Sequence, residues 1–182
     1  CEVESGWLET AHAFLDAHPD VAVVCGRRRE RFPQASVYNR LCDMEWDSPV
    51  GEATACGGDS LMRVSAYSAA GGFSASMVAG EEPELCSRIR KAGWKVQRID
   101  APMTIHDAAM LRFGQWWMRG VRGGFGYAQV NAQARSAGLS LYQAEVRRAW
   151  IWAALVPVAI CVLASVVAIR MALKVDPAEA IG

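Results

Sequence analysis

The stretch from Gly6 to Gly26, GWLETAHAFLDAHPDVAVVCG, decides the fold class. Between Gly6 and Ala17 the apolar residues recur at helical spacing, and Pro19 ends this pattern. The run Val21–Cys25 then lacks polar alternation, which is typical of a strand buried on both faces. A helix followed by a buried strand predicts an α/β fold.

Less regular patterns follow this helix and strand. Residues 27–54 predict a long loop with a short helix near Val37–Met44, and a second short helix is predicted over Val64–Ala70. The basic cluster Arg27–Arg31, RRRER, is either a solvated face or a group that approaches phosphate. The segment WKVQRI, residues 94–99, predicts a strand that ends in a turn at Asp100–Pro102.

Three carboxylates crowd the start of the segment GEEPELCSRIR, residues 80–90. The pattern predicts a helix with Glu82 near its N-cap and Pro83 at its first position. A buried stripe is expected at Leu85, Ile89 and Ala92. Acidic residues near a helix N-terminus each contribute ~0.3–1 kcal/mol, so dipole complementarity accounts for one or two of them without any chemistry.

The chain of 182 residues is 52% hydrophobic with a formal net charge of zero, which argues against disorder and against a nucleic-acid surface. The charges avoid Ala149–Ile169, an apolar run of 21 residues. As a helix rising ~1.5 Å per residue, this run reaches about 30 Å and predicts a membrane span. Arginines are denser before the run than after it, which favours a cytoplasmic N-terminal portion.

The segment before the apolar run mixes aromatic residues with arginines, as in LRFGQWWMRGVRGGFGYA. This composition predicts a helix on the membrane surface, interrupted by its glycines. The six cysteines are scattered without a C-x-x-C pair, so we expect reduced thiols. The chain also opens without a recognisable secretory signal.

The order of these motifs is more specific than any one of them. SGWLE is followed by a buried strand ending in Gly, then GGDSLMR, GGF, GEEPELCSRIRKAG, a histidine and an apolar helix. This order resembles the later half of the catalytic domain of family 2 glycosyltransferases, inverting nucleotide-sugar enzymes of GT-A fold. The resemblance covers Cys1 to about Asp107 and implies an incomplete GT-A, Rossmann-like α/β domain. The implied division is 1–108 for the catalytic part, 109–148 for the juxtamembrane helical segment, 149–170 for the membrane helix and 171–182 for a tail.

The resemblance implies roles for particular residues. The last acid of GEE corresponds to the catalytic base, which is Glu82, with Glu81 beside the substrate. The loop GGDSLMR places Gly57, Gly58 and Asp59 beside the sugar and acceptor. His106 corresponds to the histidine that helps to hold the metal or the diphosphate, and the implied metal is Mg²⁺ or Mn²⁺.

The implied activity is transfer of a sugar from a nucleotide-diphospho-sugar to a hydroxyl of a lipid-linked or saccharide acceptor. It suggests synthesis of cell-surface or extracellular polysaccharide or glycolipid at a membrane such as the bacterial inner membrane, with the catalytic part cytoplasmic. The Asp-x-Asp motif of the family would fall upstream of Cys1, so we expect a fragment that is inactive alone.

Two residues depart from the family pattern: Asp59 stands where Asn is more common, and Glu82 stands where Asp is common. The segment QWWMR, residues 115–119, does not match the Gln-x-x-Arg-Trp motif of processive synthases, since Met118 occupies the Arg place. Two other classes stay open. One is a membrane-anchored binding or scaffold protein whose acids only cap a helix, and the other is a sugar-phosphate nucleotidyltransferase.

Overall fold

The computed structural model describes residues 1–77, 79–136, 138 and 140–172. The chain forms two compact units, Cys1–Leu141 and Tyr142–Gly182. The first unit contains strands β1 (Glu2–Val3), β2 (Val21–Glu30), β3 (Gly51–Glu52), β4 (Leu61–Met62) and β5 (Lys95–His106). Its helices are α1 (Trp7–Ala17), α2 (Val37–Glu45), α3 (Val64–Ala69), α4 (Glu81–Lys91) and α5 (Phe113–Ser136). The predicted α/β class is therefore confirmed at this level.

The sheet is mixed and has two long strands at its centre. The strand order is β1-β5-β2-β4, and β3 also pairs with β5. Strands β2 and β5 run parallel, with Arg28 opposite Thr104 and Glu30 opposite His106. The three short strands are antiparallel to their neighbours. The two long strands therefore end at the same edge of the sheet.

Helices cover both faces of β2, as its continuous apolar run predicts. On one face, Trp7, Ala11 and Leu15 of α1 pack against Val21, Val24 and Cys25. On the other face, Ala22 and Val23 pack against residues of α3 and α4, namely Ala66, Leu85, Cys86 and Ile89. Strict alternation fails because the register with β5 shifts between Val21 and Val23. The strand therefore contributes to two apolar layers.

The two long strands extend further than their sequence patterns predict. The cluster Arg27–Arg31 was expected in a loop, but β2 continues through Glu30. The expected turn at Asp100–Pro102 is likewise part of β5. Pro102 lies opposite Arg27, where the register between β2 and β5 is irregular. A proline in a paired strand is tolerated at such a bulge because its missing N–H interrupts no regular ladder.

Helix α4 starts earlier than predicted. Its N-cap is Gly80 in the left-handed conformation, so Glu81 and Glu82 both lie in the first turn, and Pro83 is not the first residue. Leu85 and Ile89 are fully buried as expected. Ala92 is exposed instead, because the helix has ended and Ala92 is its C-cap.

Helix α5 is continuous over 24 residues, although its glycines predicted an interruption. A glycine inside a helix costs about 1 kcal/mol relative to alanine but does not remove a backbone hydrogen bond. The Gln115 side chain supports the start of the helix, since its Oε1 accepts hydrogen bonds from the backbone N–H groups of Leu111 and Arg112. Gln115 thus acts like the reaching-back residue of a capping box.

The second unit is helical in its described part. It consists of α6 (Gln143–Trp150), a π-helical turn (Ile151–Leu155) and α7 (Val156–Ala172). Pro157 lacks the N–H that would normally bond to Ala153, which explains the widened turn next to it. Within the described residues, one helix is long and apolar enough to cross a membrane, Gln143–Met171. The predicted tail falls almost wholly on residues 173–182, which lie outside the described residues.

We expect Ile89→Ala to lower the free energy of unfolding by about 2–5 kcal/mol, because it removes a fully buried side chain from the core. Val64→Ala is the matched control, since Val64 is 78% exposed and its loss leaves no cavity. Chemical unfolding of the detergent-solubilised chain measures both. Equal destabilisation by the two variants would contradict the core packing.

Candidate functional site

A polar cluster lies at the carboxyl ends of β2 and β5, where open α/β sheets commonly bind ligands. Arg28 of β2 donates a hydrogen bond from Nε to Asp59 Oδ2 at 2.9 Å, and its Nη2 pairs with Asp59 Oδ1. Thr104 of β5 donates from Oγ1 to the same Asp59 Oδ2 at 2.5 Å. The loop that carries Asp59 is therefore attached to both central strands.

Asp59 is held as a carboxylate. Burial opposes its ionisation, but the hydrogen bonds from Arg28 and Thr104 outweigh burial and hold its pKa below the ordinary value. Both carboxylate oxygens are occupied by these donors. Asp59 is therefore suited to position the loop and unsuited to accept a proton.

The two glycines before Asp59 allow close approaches that a side chain would block. A Cβ atom on Gly57 would lie 2.5 Å from Arg28 Nη2. A Cβ atom on Gly58 would lie 2.8 Å from Glu82 Oε1. The first turn of α4 and the glycine loop thus meet at Glu82, although they are separated by α3 in the chain.

The acidic residues around the cluster differ in what they contact. Glu84 pairs with Arg88 at 2.6 Å, and Arg88 also donates to the carbonyl oxygens of Ala70 and Gly72. Among the residues that the structure describes, Glu81 and Glu82 form no hydrogen bond or ion pair through their side chains. Glu82 is thus the uncommitted carboxylate beside the glycine loop.

Glu30, at the end of β2, is a buried acid with a structural role. Its Oε2 accepts a hydrogen bond from the backbone N–H of Ala108 at 2.8 Å. Its Oε1 accepts from the backbone of Phe32 and from the Asn39 side chain. These bonds fix the segments that leave β2 and β5, so Glu30 maintains the edge of the sheet where the site lies.

His106 lies at the same edge, next to Trp46. The two rings meet edge to face with centroids 5.3 Å apart, and the Arg28 guanidinium lies 5.5 Å from the centre of the Trp46 ring. Nδ1 of His106 is buried without a hydrogen-bond partner among the described atoms. Burial, and secondarily the positive charge of Arg28, lower the pKa of His106.

The predicted site residues are brought together to different degrees. Gly57, Gly58, Asp59 and Glu82 form one cluster, and His106 borders it through Trp46 and Arg28. Glu81 is in the first turn of α4, and no hydrogen bond or ion pair joins its side chain to the others among the described residues.

Sequence reasoning missed Arg28, Trp46 and Thr104. The basic cluster Arg27–Arg31 did carry a hint of Arg28, through its possible approach to phosphate. Neither Trp46 nor Thr104 belongs to a motif that could have identified it.

No cluster of metal ligands surrounds His106, the predicted metal ligand, within the described residues. None of their His, Cys, Asp and Glu side chains form a group of three or more that could hold a metal ion. Asp59 is already paired with Arg28, which leaves His106 as the predicted ligand with an available nitrogen. A metal ion at His106 therefore stays a prediction.

Cysteines join the glycine loop to α4. Cys56, which precedes Gly57, lies with its Sγ 3.5 Å from Sγ of Cys86. All six cysteines are free thiols. Burial raises the pKa of the neighbouring Cys25 thiol to about 11. These side chains therefore act as small apolar groups that pack the loop against the helix.

Comparison with known proteins found no matching family model and no significantly similar curated protein. Function is therefore inferred from the chemistry of the site.

We predict that Arg28→Gln raises the pKa of His106, because it removes a positive charge that disfavours the imidazolium. NMR titration of labelled histidine, without added metal, measures this value. Arg29→Gln is the control, since Arg29 is the next residue on β2 and pairs with the distant Glu4. An unchanged His106 pKa in Arg28→Gln, or an equal rise in both variants, would contradict the arrangement.

The lowered pKa of His106 also has a consequence for stability. Below the ordinary histidine pKa of about 6.5, the unfolded chain binds a proton that the folded His106 resists. The free energy of unfolding should therefore decrease as the pH falls through this range. The His106→Gln variant should show a smaller decrease.

Proposed function

We propose that the chain is part of a membrane-attached, inverting family 2 glycosyltransferase with a GT-A catalytic domain. The observation that carries the proposal is the position of Glu82, an uncommitted carboxylate against the backbone of Gly58. The neighbouring acids Asp59, Glu84 and Glu30 are each engaged by donors. This contrast supports a role for Glu82 as the base and structural roles for the other three acids.

The proposed reaction transfers a sugar from a nucleotide-diphospho-sugar to a hydroxyl group. Glu82 takes the proton from the acceptor hydroxyl as that oxygen forms a bond to the anomeric carbon. The bond from that carbon to the diphosphate breaks on the opposite face, so the configuration inverts. The bare backbone at Gly57 and Gly58 allows Arg28 and Glu82 to approach the loop, and Asp59 fixes the loop through Arg28 and Thr104.

A divalent metal, Mg²⁺ or Mn²⁺, is part of the proposal, with His106 as one ligand. Such an ion neutralises charge on a leaving diphosphate. The buried, unpartnered Nδ1 of His106 supports this role, and its lowered pKa favours the neutral imidazole that binds metals. Further ligands would have to complete the site, because the described residues contain no group of three or more His, Cys, Asp or Glu side chains that could hold the ion.

Membrane attachment is supported by helix Gln143–Met171. We propose that it spans the membrane, with the catalytic part on the cytoplasmic side, and that the acceptor is lipid-linked or a saccharide. The product would belong to cell-surface polysaccharide or glycolipid. Non-processive transfer is part of the proposal, since Met118 occupies the Arg place of the Gln-x-x-Arg-Trp motif of processive synthases.

We expect Glu82→Gln to reduce sugar transfer by about 10²- to 10⁴-fold, because the amide cannot accept the proton. The measurement is transfer from nucleotide-sugars, with Mg²⁺ or Mn²⁺, by the full-length gene product that contains this chain. Glu9→Gln is the matched control, since Glu9 also lies in the first turn of a helix but belongs to α1.

Two results would count against this proposal in different ways. If the Glu82→Gln variant transfers sugar at the wild-type rate, Glu82 has no part in the mechanism. No transfer by the wild type with any donor would favour a non-catalytic, membrane-anchored binding protein in which the acids of α4 only complement the helix.

Gly58→Ala tests the contact between the loop and the base. The added methyl group would displace the Glu82 carboxylate, and a misplacement near 1 Å can lower the transfer rate by about 10²-fold. The Glu82 side chain is flexible, so the melting temperature should change little. Gly114→Ala is the control, because open space surrounds a Cβ there. Normal transfer by Gly58→Ala would show that the contact has no role in the reaction.

A further inference from the structure

Two helices of the first unit expose apolar stripes. On α2, Val37, Leu41 and Met44 follow helical spacing and are exposed, whereas Asn39 and Cys42 on the opposite side are buried. On α5, Phe113, Trp117 and Val121 form a second exposed stripe. We call these six exposed residues the α2–α5 face.

The two helices contact each other beside the stripes. The Tyr38 ring of α2 lies 6.0 Å from Trp116 and 6.5 Å from Phe113, measured between centroids. Glu45 at the end of α2 forms a bidentate pair with Arg119 of α5, at 2.7 and 2.9 Å. Exposed large apolar side chains gathered on neighbouring helices are typical of an interaction site.

The charges around the α2–α5 face indicate which kind of partner binds there. Helix α5 contains no Asp or Glu in its 24 residues, and Arg112 and Arg122 near its first half are exposed. The acids of α2 are already neutralised, Asp43 by Arg27 and Glu45 by Arg119. The face is therefore apolar and aromatic with a positive border, which suits the headgroup region of an anionic bilayer.

Two further observations favour a bilayer over a protein partner. The helix that could cross a membrane begins at Gln143, seven residues after the end of α5 at Ser136. Trp46, the C-cap of α2, contacts His106 and Arg28, so one end of the face borders the candidate site. A lipid surface on the α2–α5 face would lie beside that site.

We propose that the α2–α5 face rests on the surface of a bilayer that contains anionic lipids, with its apolar side chains in the headgroup region. This interaction is separate from the membrane-crossing helix and from the proposed transfer reaction. It adds α2 to the membrane-contacting surface and gives the first unit a fixed orientation on the lipid.

Hydroxyl-radical footprinting of the whole chain in nanodiscs tests the proposal without an activity assay. The discs hold one chain each and contain phosphatidylcholine with phosphatidylglycerol, so a second copy cannot cover the face. Two pairs of residues provide internal controls, and each pair has one residue on the α2–α5 face and one of the same type elsewhere. Phe113 is 56% and Phe73 45% exposed, and Leu41 is 41% and Leu8 57% exposed.

We expect oxidation of Phe113 and Leu41 to be at least about fivefold lower than that of Phe73 and Leu8, because a bound bilayer buries the apolar face of an interfacial helix. The double variant Arg112→Gln and Arg122→Gln, or discs of phosphatidylcholine alone, should weaken this protection. Ratios near one, or protection that ignores both the arginines and the lipid charge, would overturn the proposal.

Discussion

The parallel pairing of β2 with β5 is the constraint on which the first unit depends. Parallel neighbours require a long crossover, and here the crossover carries α2, α3 and α4. Because both strands end at one edge, Arg28 and Thr104 become neighbours. Asp59 then attaches the glycine loop to the ends of both strands, because its side chain bonds to both residues.

The Arg28–Asp59 pair gives a physical reason for Asp rather than Asn at position 59. A carboxylate accepts two parallel bonds from a guanidinium, whereas a carboxamide presents only one acceptor oxygen. With Arg28 on β2, Asp is the residue that satisfies the arginine and Thr104 together. The loop therefore has a fixed position and a balanced charge.

The sequence predicts those elements of the fold whose apolar residues follow a local pattern. Helix α1, the start of β2 and helices α2 and α3 lie where apolar spacing placed them. The arginine cluster was unpredictable as a strand because its charges are neutralised by distant acids. Arg27 pairs with Asp43, and Arg29 pairs with Glu4. The contact of Gly58 with Glu82 is equally invisible, since it depends on the packing of α4 against the sheet.

Helix α5 links the start of α4, which its second half contacts, to its own exposed first half. Gly80 has φ +83°, and a Cβ there would lie 2.6 Å from Val130 of α5, so only glycine fits between the two helices. Gln129 and Gln133 bond to Ser76 in the loop that leads into α4. The buried half of α5 thus fixes the first turn that carries Glu82, while its other half carries the aromatic stripe. Because helix α5 is continuous, a change in the orientation of one half also changes the orientation of the other half.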